Sequence, residues 1–347
     1  MAGAGNACVL SGTRGESQLP DPINRMTSTA LQLATLGGET MGTTWSVKLM
    51  VSPRADLHVL HAAIQARLEL VVQQMSTWEA GSDISRFNRL AAGSWKILPP
   101  EFFSVLSCAI EIANASEGAY DPTVGPLVEA WGFGASAGAR QVPDTQALLD
   151  ARKRVGWQRL LLQAESSSAL QAGGVQLDLS AIAKGYGVDC VARCLRERGI
   201  DSALVEVGGE LYGYGRKPDA SPWQVLVESR HDEEADDTHP PRVISIENRA
   251  IATSGDHWHA FEQDGVRYSH TLDPRSGYPV QHAPAAVTVI ASDAMHADAW
   301  ATALTVMGAD AGFAFAQQKQ LAARFMVRRD QRWAEYMTDA FQALLPA

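Results

Sequence analysis

At 347 residues and 46% hydrophobic content, the chain can bury a large core, and length taken alone suggests roughly two domains. Its formal net charge of -10 excludes a general electrostatic footprint on nucleic acid, so any phosphate-bearing ligand has to be met by local cations, helix N-termini or a metal. Four cysteines are too few for a disulfide scaffold, and no apolar run approaches the roughly 18 residues of a membrane span.

The first residues, "MAGAGNACVLSG", lack a basic region followed by an apolar stretch and do not read as a signal peptide. Cys8 after Ala7 is similar to the end of a lipoprotein cleavage site, but the hydrophobic segment that should precede it is missing. It reads either as a cysteine in a loose tail or as the sign of a start further upstream. Residues 1–36, rich in Gly, Ser, Thr and Pro, read as a disordered tail or tether. A single ordered domain is expected over 37–347.

Order is expected from "GGETMGTTWSVKLM", where Trp45, Val47 and Leu49 alternate with Ser46 and Lys48 as in a half-buried strand. Leu57, Leu60, Ile64, Leu68, Val71 and Met75 then recur at helical spacing. A second helix follows "LPPE", with Pro100 near its start and Phe103, Leu106, Ile110 and Ala113 on one face. "WQRLLLQ" and "VQLDL" read as strands, and a helix follows from about Ser180 to Arg198, with Cys190 and Cys194 as ordinary helix residues. "ALVEVGGELYGYG" reads as a hairpin, and "WQVLVES", "RVISIENRAIATSG" and "AAVTVIA" as strands. The acidic run from His231 to Arg242 reads as a solvated loop. "DAMHADAWATALTVMG" reads as a helix ending at Gly308. Strands and helices mix without strict alternation, so the fold class is α+β.

Four polar clusters stand far apart in this order. "EGAYDPTVGP" holds Asp121 extended before Pro122, the mark of a rigid turn. "LDLSAIAKGYGVD" puts Asp178, Lys184, Gly185 and Gly187 at the start of a helix, where unpaired N–H groups favour phosphate, although the pattern is not a Walker P-loop. "RYSHTLDPRSGYP" sets His270 and Asp273 before a rigid turn. In "MHADAWATAL", Asp298 and Thr302 lie one helical turn apart and share a face, so they can offer two hard oxygens to a divalent cation or simply hydrogen-bond within the core.

Together with "MGTTWSVKL", "MSTWEAGSDISRFN" and "VEVGGELYGYG", these stretches occur in the order found in the ApbE family of flavin transferases, and the chain resembles that family from about Gly38 to Gly308. The resemblance implies one α+β catalytic unit that uses FAD and Mg2+. The reaction it implies moves FMN onto a threonine or serine of a target protein through a phosphoester, with release of AMP. The positions that match FAD contacts are Met41, Trp78, Ala119, Tyr120, Asp121, Asp178, Lys184 and Leu272. Ala181, through its backbone oxygen, matches a metal ligand, as do Asp298 and Thr302. Trp78 stands where a tyrosine is usual; it keeps an aromatic face and loses the hydroxyl. Gly185 and Gly187 are expected to let the backbone approach the ligand. His270 is the candidate general base, because a threonine hydroxyl is a poor nucleophile at neutral pH. His257 and His259 are less favoured.

Two other classes compete with this reading: a pyrophosphatase that cleaves FAD to FMN and AMP with water, and a non-catalytic flavin carrier. The implied partner is an acceptor flavoprotein, such as a membrane redox-complex subunit, with a flavinylation motif. No such motif occurs in this chain, so self-flavinylation is not expected. A periplasmic or cell-envelope location, with membrane contact only through an N-terminal lipid tether, is what the resemblance suggests.

Overall fold

The computed structural model describes residues 30–135, 138–227, 242–255, 260–281, 286–329 and 332–345. The expected tail up to residue 29, the acidic loop before Arg242, and His257 and His259 lie outside them.

The first strand, β1 (Gln32–Thr40), begins before the expected boundary at 37 and pairs along its whole length with β2 (Thr43–Val51). Residues 32–36 are therefore part of the sheet and not of a tether. As the alternation predicts, β2 buries Trp45, Val47 and Leu49. Helix α1 (Leu57–Met75) starts at Asp56, whose carboxylate accepts from the N–H groups of His58 and Val59. It buries Leu60, Ile64, Leu68, Val71 and Met75.

Helix α2 (Pro100–Ala115) has Pro100 at its first position. Its buried face is Phe102, Val105, Leu106, Ala109, Ile112 and Ala113, a rotation of about one residue from the stripe expected through Phe103 and Ile110. Helix α3 (Ala183–Arg196) is shorter than the sequence suggests. The strands β3 (Ala203–Val207) and β4 (Glu210–Tyr214) form the expected hairpin. They are followed by β5 (Arg249–Gly255), β6 (Ala286–Ala291), α4 (Ala294–Met307), β7 (Ala322–Arg329) and β8 (Arg332–Met337).

The eight strands make one sheet in the order β1 to β8, antiparallel at every step. Strands thus neighbour those next in this series, while helices and small hairpins fill the connections. The fold is α+β, as expected. Val47, Leu49, Val205 and Val207 of the sheet pack against Ile64 and Leu68 of α1 and Val188, Val191 and Leu195 of α3. A second core joins α2 to Phe87, Leu177 and Ile182. Helix α4 runs between the cores. Ala294 and Ala297 belong to the first, Ala299 and Ala303 to the second, and Ala301 and Leu304 to a third under β6 and β7. Its alanines are there because apolar neighbours press on nearly every side.

Two expected strands differ. "WQRLLLQ" forms a single 3-10 turn at Trp157–Arg159 and a three-residue strand, Leu161–Gln163. "VQLDL" alternates and buries Val175, Leu177 and Leu179, but it pairs with no strand among the described residues. Side chains take the place of that neighbour. Gln171 accepts from Val175 N and donates to Val175 O, and Asn88 does the same for Leu177. Asp178 N donates to Pro122 O at 2.8 Å. The backbone is thereby satisfied without a ladder.

Candidate functional site

Helix α4 carries Asp298 and Thr302 and has a fully occupied N-terminus. Asp189, from α3, accepts from Ala294 N and Met295 N, each at 2.9 Å. Asp293 accepts from His296 N at 2.9 Å through its side chain and from Ala297 N through its carbonyl. Two acids at this end also suit the helix dipole. Burial pushes the Asp189 carboxyl up to about 6 despite its two N–H donors.

Helices α3 and α4 touch at Gly185. A Cβ there would stand 2.1 Å from Ala294 O and 2.9 Å from Asp298 Cβ. Gly187 faces Met41 Cε and Leu68. Both glycines thus serve packing between protein elements, where the sequence suggested close approach to a ligand. The Gly185 N–H, an early donor of α3, goes to Asp298 Oδ2 at 3.1 Å.

Lys184 sits between two acids. Its Nζ is 3.1 Å from Glu210 Oε1 and 3.7 Å from Asp298 Oδ1. Both carboxylates are buried, at 4% and 5% residue exposure. Burial alone would lower the Lys184 pKa, but the Asp298 and Glu210 charges hold it above its ordinary value. Burial raises both acids, against the pull of the lysine, because one cation cannot balance two carboxylates. Among the described residues, only two buried side-chain oxygens or nitrogens lack a hydrogen-bond partner, Glu210 Oε2 and Tyr120 Oη. Burial, then the Asp298 and Asp178 charges, keep the Tyr120 phenol well above its usual pKa.

The other clusters are joined to this point through the backbone and core. Asp121 accepts from Thr123 N and Oγ1 and from Trp157 N, so its carboxylate builds the expected rigid turn. The bond from Asp178 N to Pro122 O ties that turn to the segment leading into α3, where Ala181 lies half-buried. Asp178 itself is half-buried and accepts from Ser180 N. The hairpin of Leu272–Asp273 with Tyr278–Pro279 comes in from the third cluster. Val280 packs with Ala119 and with Val306 of α4, and Trp131 Nε1 donates to Gly277 O at 2.9 Å. Leu272 is buried with Leu127 and Trp131. His270, at the bend before this hairpin, is half-buried, and its ring meets Phe133 edge-on at 6.5 Å.

Met41 occupies the β1–β2 turn with a left-handed φ of 50° and reaches toward α3. Trp78, after α1, is 68% exposed, so it is not a core tryptophan. Thr302 is half-buried one turn along α4 from Asp298. The sequence reading missed Glu210, although "VEVGGELYGYG" contains it. The available signal was a charged residue opening an otherwise apolar strand right after a Gly-Gly turn.

The oxygens gathered here suit a hard cation. Asp298 Oδ1 is a buried carboxylate oxygen, and the Thr302 hydroxyl follows one turn along the same helix, both hard donors of the kind magnesium favours. Among the described residues, no group of three His, Cys, Asp or Glu side chains is placed as a metal cage. A cation at this point would depend on backbone and hydroxyl oxygens, water or substrate phosphate, as magnesium sites usually do.

Comparison with known proteins agrees in extent and in shape. Residues 41–325 match the profile of the ApbE family. The FAD:protein FMN transferase of Vibrio cholerae is 39% identical over 311 residues, 89% of this chain and 92% of its own length. That of Haemophilus influenzae is 36% identical over 321 residues, 90% of this chain and 92% of its own. Among solved structures, the apo flavinyl transferase ApbE of Pseudomonas stutzeri superposes with a TM-score of 0.84 at 38% identity, covering 91% of this chain and 98% of that one.

Proposed function

The chain belongs to the ApbE family, and on that premise we propose that it moves FMN from FAD to a threonine or serine hydroxyl of a target protein. The observation that carries the reading is the junction of α3 and α4, where Lys184 lies between Glu210 and Asp298 and the turns holding Asp121 and Asp178 close in.

In the reaction, the acceptor oxygen attacks the FMN phosphorus. The new P–O bond forms as the bond to the bridging oxygen breaks, and AMP leaves. The Lys184 ammonium supplies fixed positive charge for the phosphate oxygens. His270 takes the hydroxyl proton as the new bond forms. Asp298, Thr302 and the Ala181 carbonyl would hold Mg2+. When bound, the ion neutralises charge on the pyrophosphate. Met41, Ala119, Tyr120, Asp178 and Leu272 shape the FAD pocket, Asp121 holds its turn in place, and the exposed face of Trp78 stacks on a ring of FAD.

The acceptor is a protein bearing a short Ser/Thr flavinylation segment, and the site of action is the cell envelope, with the N-terminal region as a lipid tether. The family resemblance supports both. Among the described residues, no helix is long and apolar enough to cross a membrane.

The test is mass spectrometry of an acceptor peptide incubated with this protein, FAD and Mg2+, with AMP followed in parallel. An FMN increment on the peptide's threonine with equimolar AMP is expected. AMP without the increment would mean FAD hydrolysis, and neither product would mean flavin carriage.

A further inference from the structure

Asp298 has little to spare for a cation. Its Oδ2 is taken by Gly185 N–H, and its Oδ1 is the oxygen that faces Lys184 at 3.7 Å. An ammonium that moved fully onto Oδ1 would occupy the place of the metal. It is drawn the other way by Glu210, whose Oε1 is nearer at 3.1 Å.

Glu210 is rigidly mounted. It follows the Gly208–Gly209 turn, where both glycines have positive φ, 59° and 102°. A Cβ on Gly208 would stand 2.8 Å from Thr43 Cγ2 and 3.3 Å from Lys184 Cδ, so the turn passes directly against the lysine stem. Gly208 N donates to Thr44 O, and Gly209 N donates to Glu206 Oε1. Ser46 Oγ in turn holds Glu206 Oε2. A buried carboxylate with one oxygen on the lysine and the other without a partner is costly to keep. Such a residue, set against the lysine that also faces Asp298, calls for a role.

We propose that Glu210 is a positioning residue that holds the Lys184 ammonium off Asp298 and so leaves Asp298 Oδ1 to the divalent cation. The inference rests on the reading of Asp298 as a metal ligand. Losing Glu210 lets Lys184 collapse onto Asp298, and cation affinity falls although no ligand has been removed. The expected loss is about 10–100-fold, the range for outer partners of metal ligands.

The experiment is Mn2+ binding, followed by electron paramagnetic resonance, to the FAD-loaded protein and to Glu210→Gln, Lys184→Met, the double variant and Asp298→Ala. Glu210→Gln should bind Mn2+ about 10–100-fold more weakly, whereas the same change made in the Lys184→Met background should cost less than about 2-fold, because no ammonium remains to collapse. If Glu210→Gln costs as much with Met at 184 as with Lys, the carboxylate acts on the cation by charge alone and the positioning role is overturned. Wild-type affinity in Glu210→Gln, alongside weak binding in Asp298→Ala, also overturns it. Wild-type affinity in Asp298→Ala would instead remove the ligand assignment itself. Melting curves accompany each variant. Glu210→Ala replaces Glu210→Gln if the amide does not fold.

Discussion

Two buried ion clusters lie on the same sheet, and they are built in opposite ways. At the β3–β4 end, one lysine faces two carboxylates, Glu210 and Asp298, and an oxygen of Glu210 is left over. Between β7 and β8, one carboxylate faces two arginines. Glu335 accepts from Arg324 Nε at 2.6 Å and from Arg242 Nη2 at 2.6 Å. The pKa values follow the charge count. Burial raises both acids of the first cluster. Burial would raise Glu335 as well, but its bonds to Arg242 and Arg324 hold it below its usual value. The second cluster is closed and serves the fold. The first is short of positive charge, which is the condition of a site that takes up a cation.

The sharpest way to break this contrast is Asp298→Asn. The amide keeps an acceptor for Gly185 N–H but removes the charge. Transfer should fall by about 10³- to 10⁴-fold, equivalent to several kcal/mol of lost metal assistance, while the melting temperature holds or rises. A large drop in melting temperature would put Asp298 in the class of Glu335. His270 belongs to neither cluster, and His270→Ala should lower transfer by about 10²–10⁴-fold with FAD affinity kept. A wild-type rate in this variant would remove His270 from the mechanism.

Glu335→Gln should do the reverse of Asp298→Asn. It takes away the charge that faces Arg242 and Arg324, the latter 1% exposed, and should cost ~3 kcal/mol of stability, read from denaturant melts. Transfer per folded molecule should stay at the wild-type rate. Trp78→Ala should weaken FAD binding by ~1–3 kcal/mol without touching either cluster, and Trp78→Tyr should be nearly silent in the same titration.

The smallest effect is expected at the α4 N-terminus. The hydrogen bond from His296 Nδ1 to Asp293, at 2.6 Å, and then the contact with Cys108, push the histidine up to about 10. A raised pKa means that the folded protein binds this proton more tightly than the unfolded chain. The stabilisation is therefore complete below about pH 6.5 and is lost as pH rises through about 10. The side chain is 41% exposed, so solvent screening limits the effect to about 1 kcal/mol. His296→Gln should melt below wild type at pH 6 and level with it above pH 10.

Local pattern was enough where side chains within one element decide the outcome. The alternation in β2, the periodicity of α1, the β3–β4 hairpin and the shared face of Asp298 and Thr302 follow from spacing along a strand or helix, which is fixed by backbone geometry. The four polar clusters are also legible as motifs, and the fold ties the first to the second through Asp178 N and Pro122 O and sets Val280, just after the third, against Ala119 and Val306 of α4. What the sequence could not supply were the partners of each group across the fold. "VQLDL" has a strand's alternation, yet Gln171, Asn88 and Pro122 take the backbone bonds that a neighbouring strand would make. Gly185 resembles a ligand-cradling glycine until Ala294 O is found where its Cβ would go. Glu210 looks like any acid after a turn until burial beside Lys184 gives it a cation to share and leaves one oxygen without a partner. Burial and partner distance set the energy of a charge, and both exist only once residues distant in the chain have packed together.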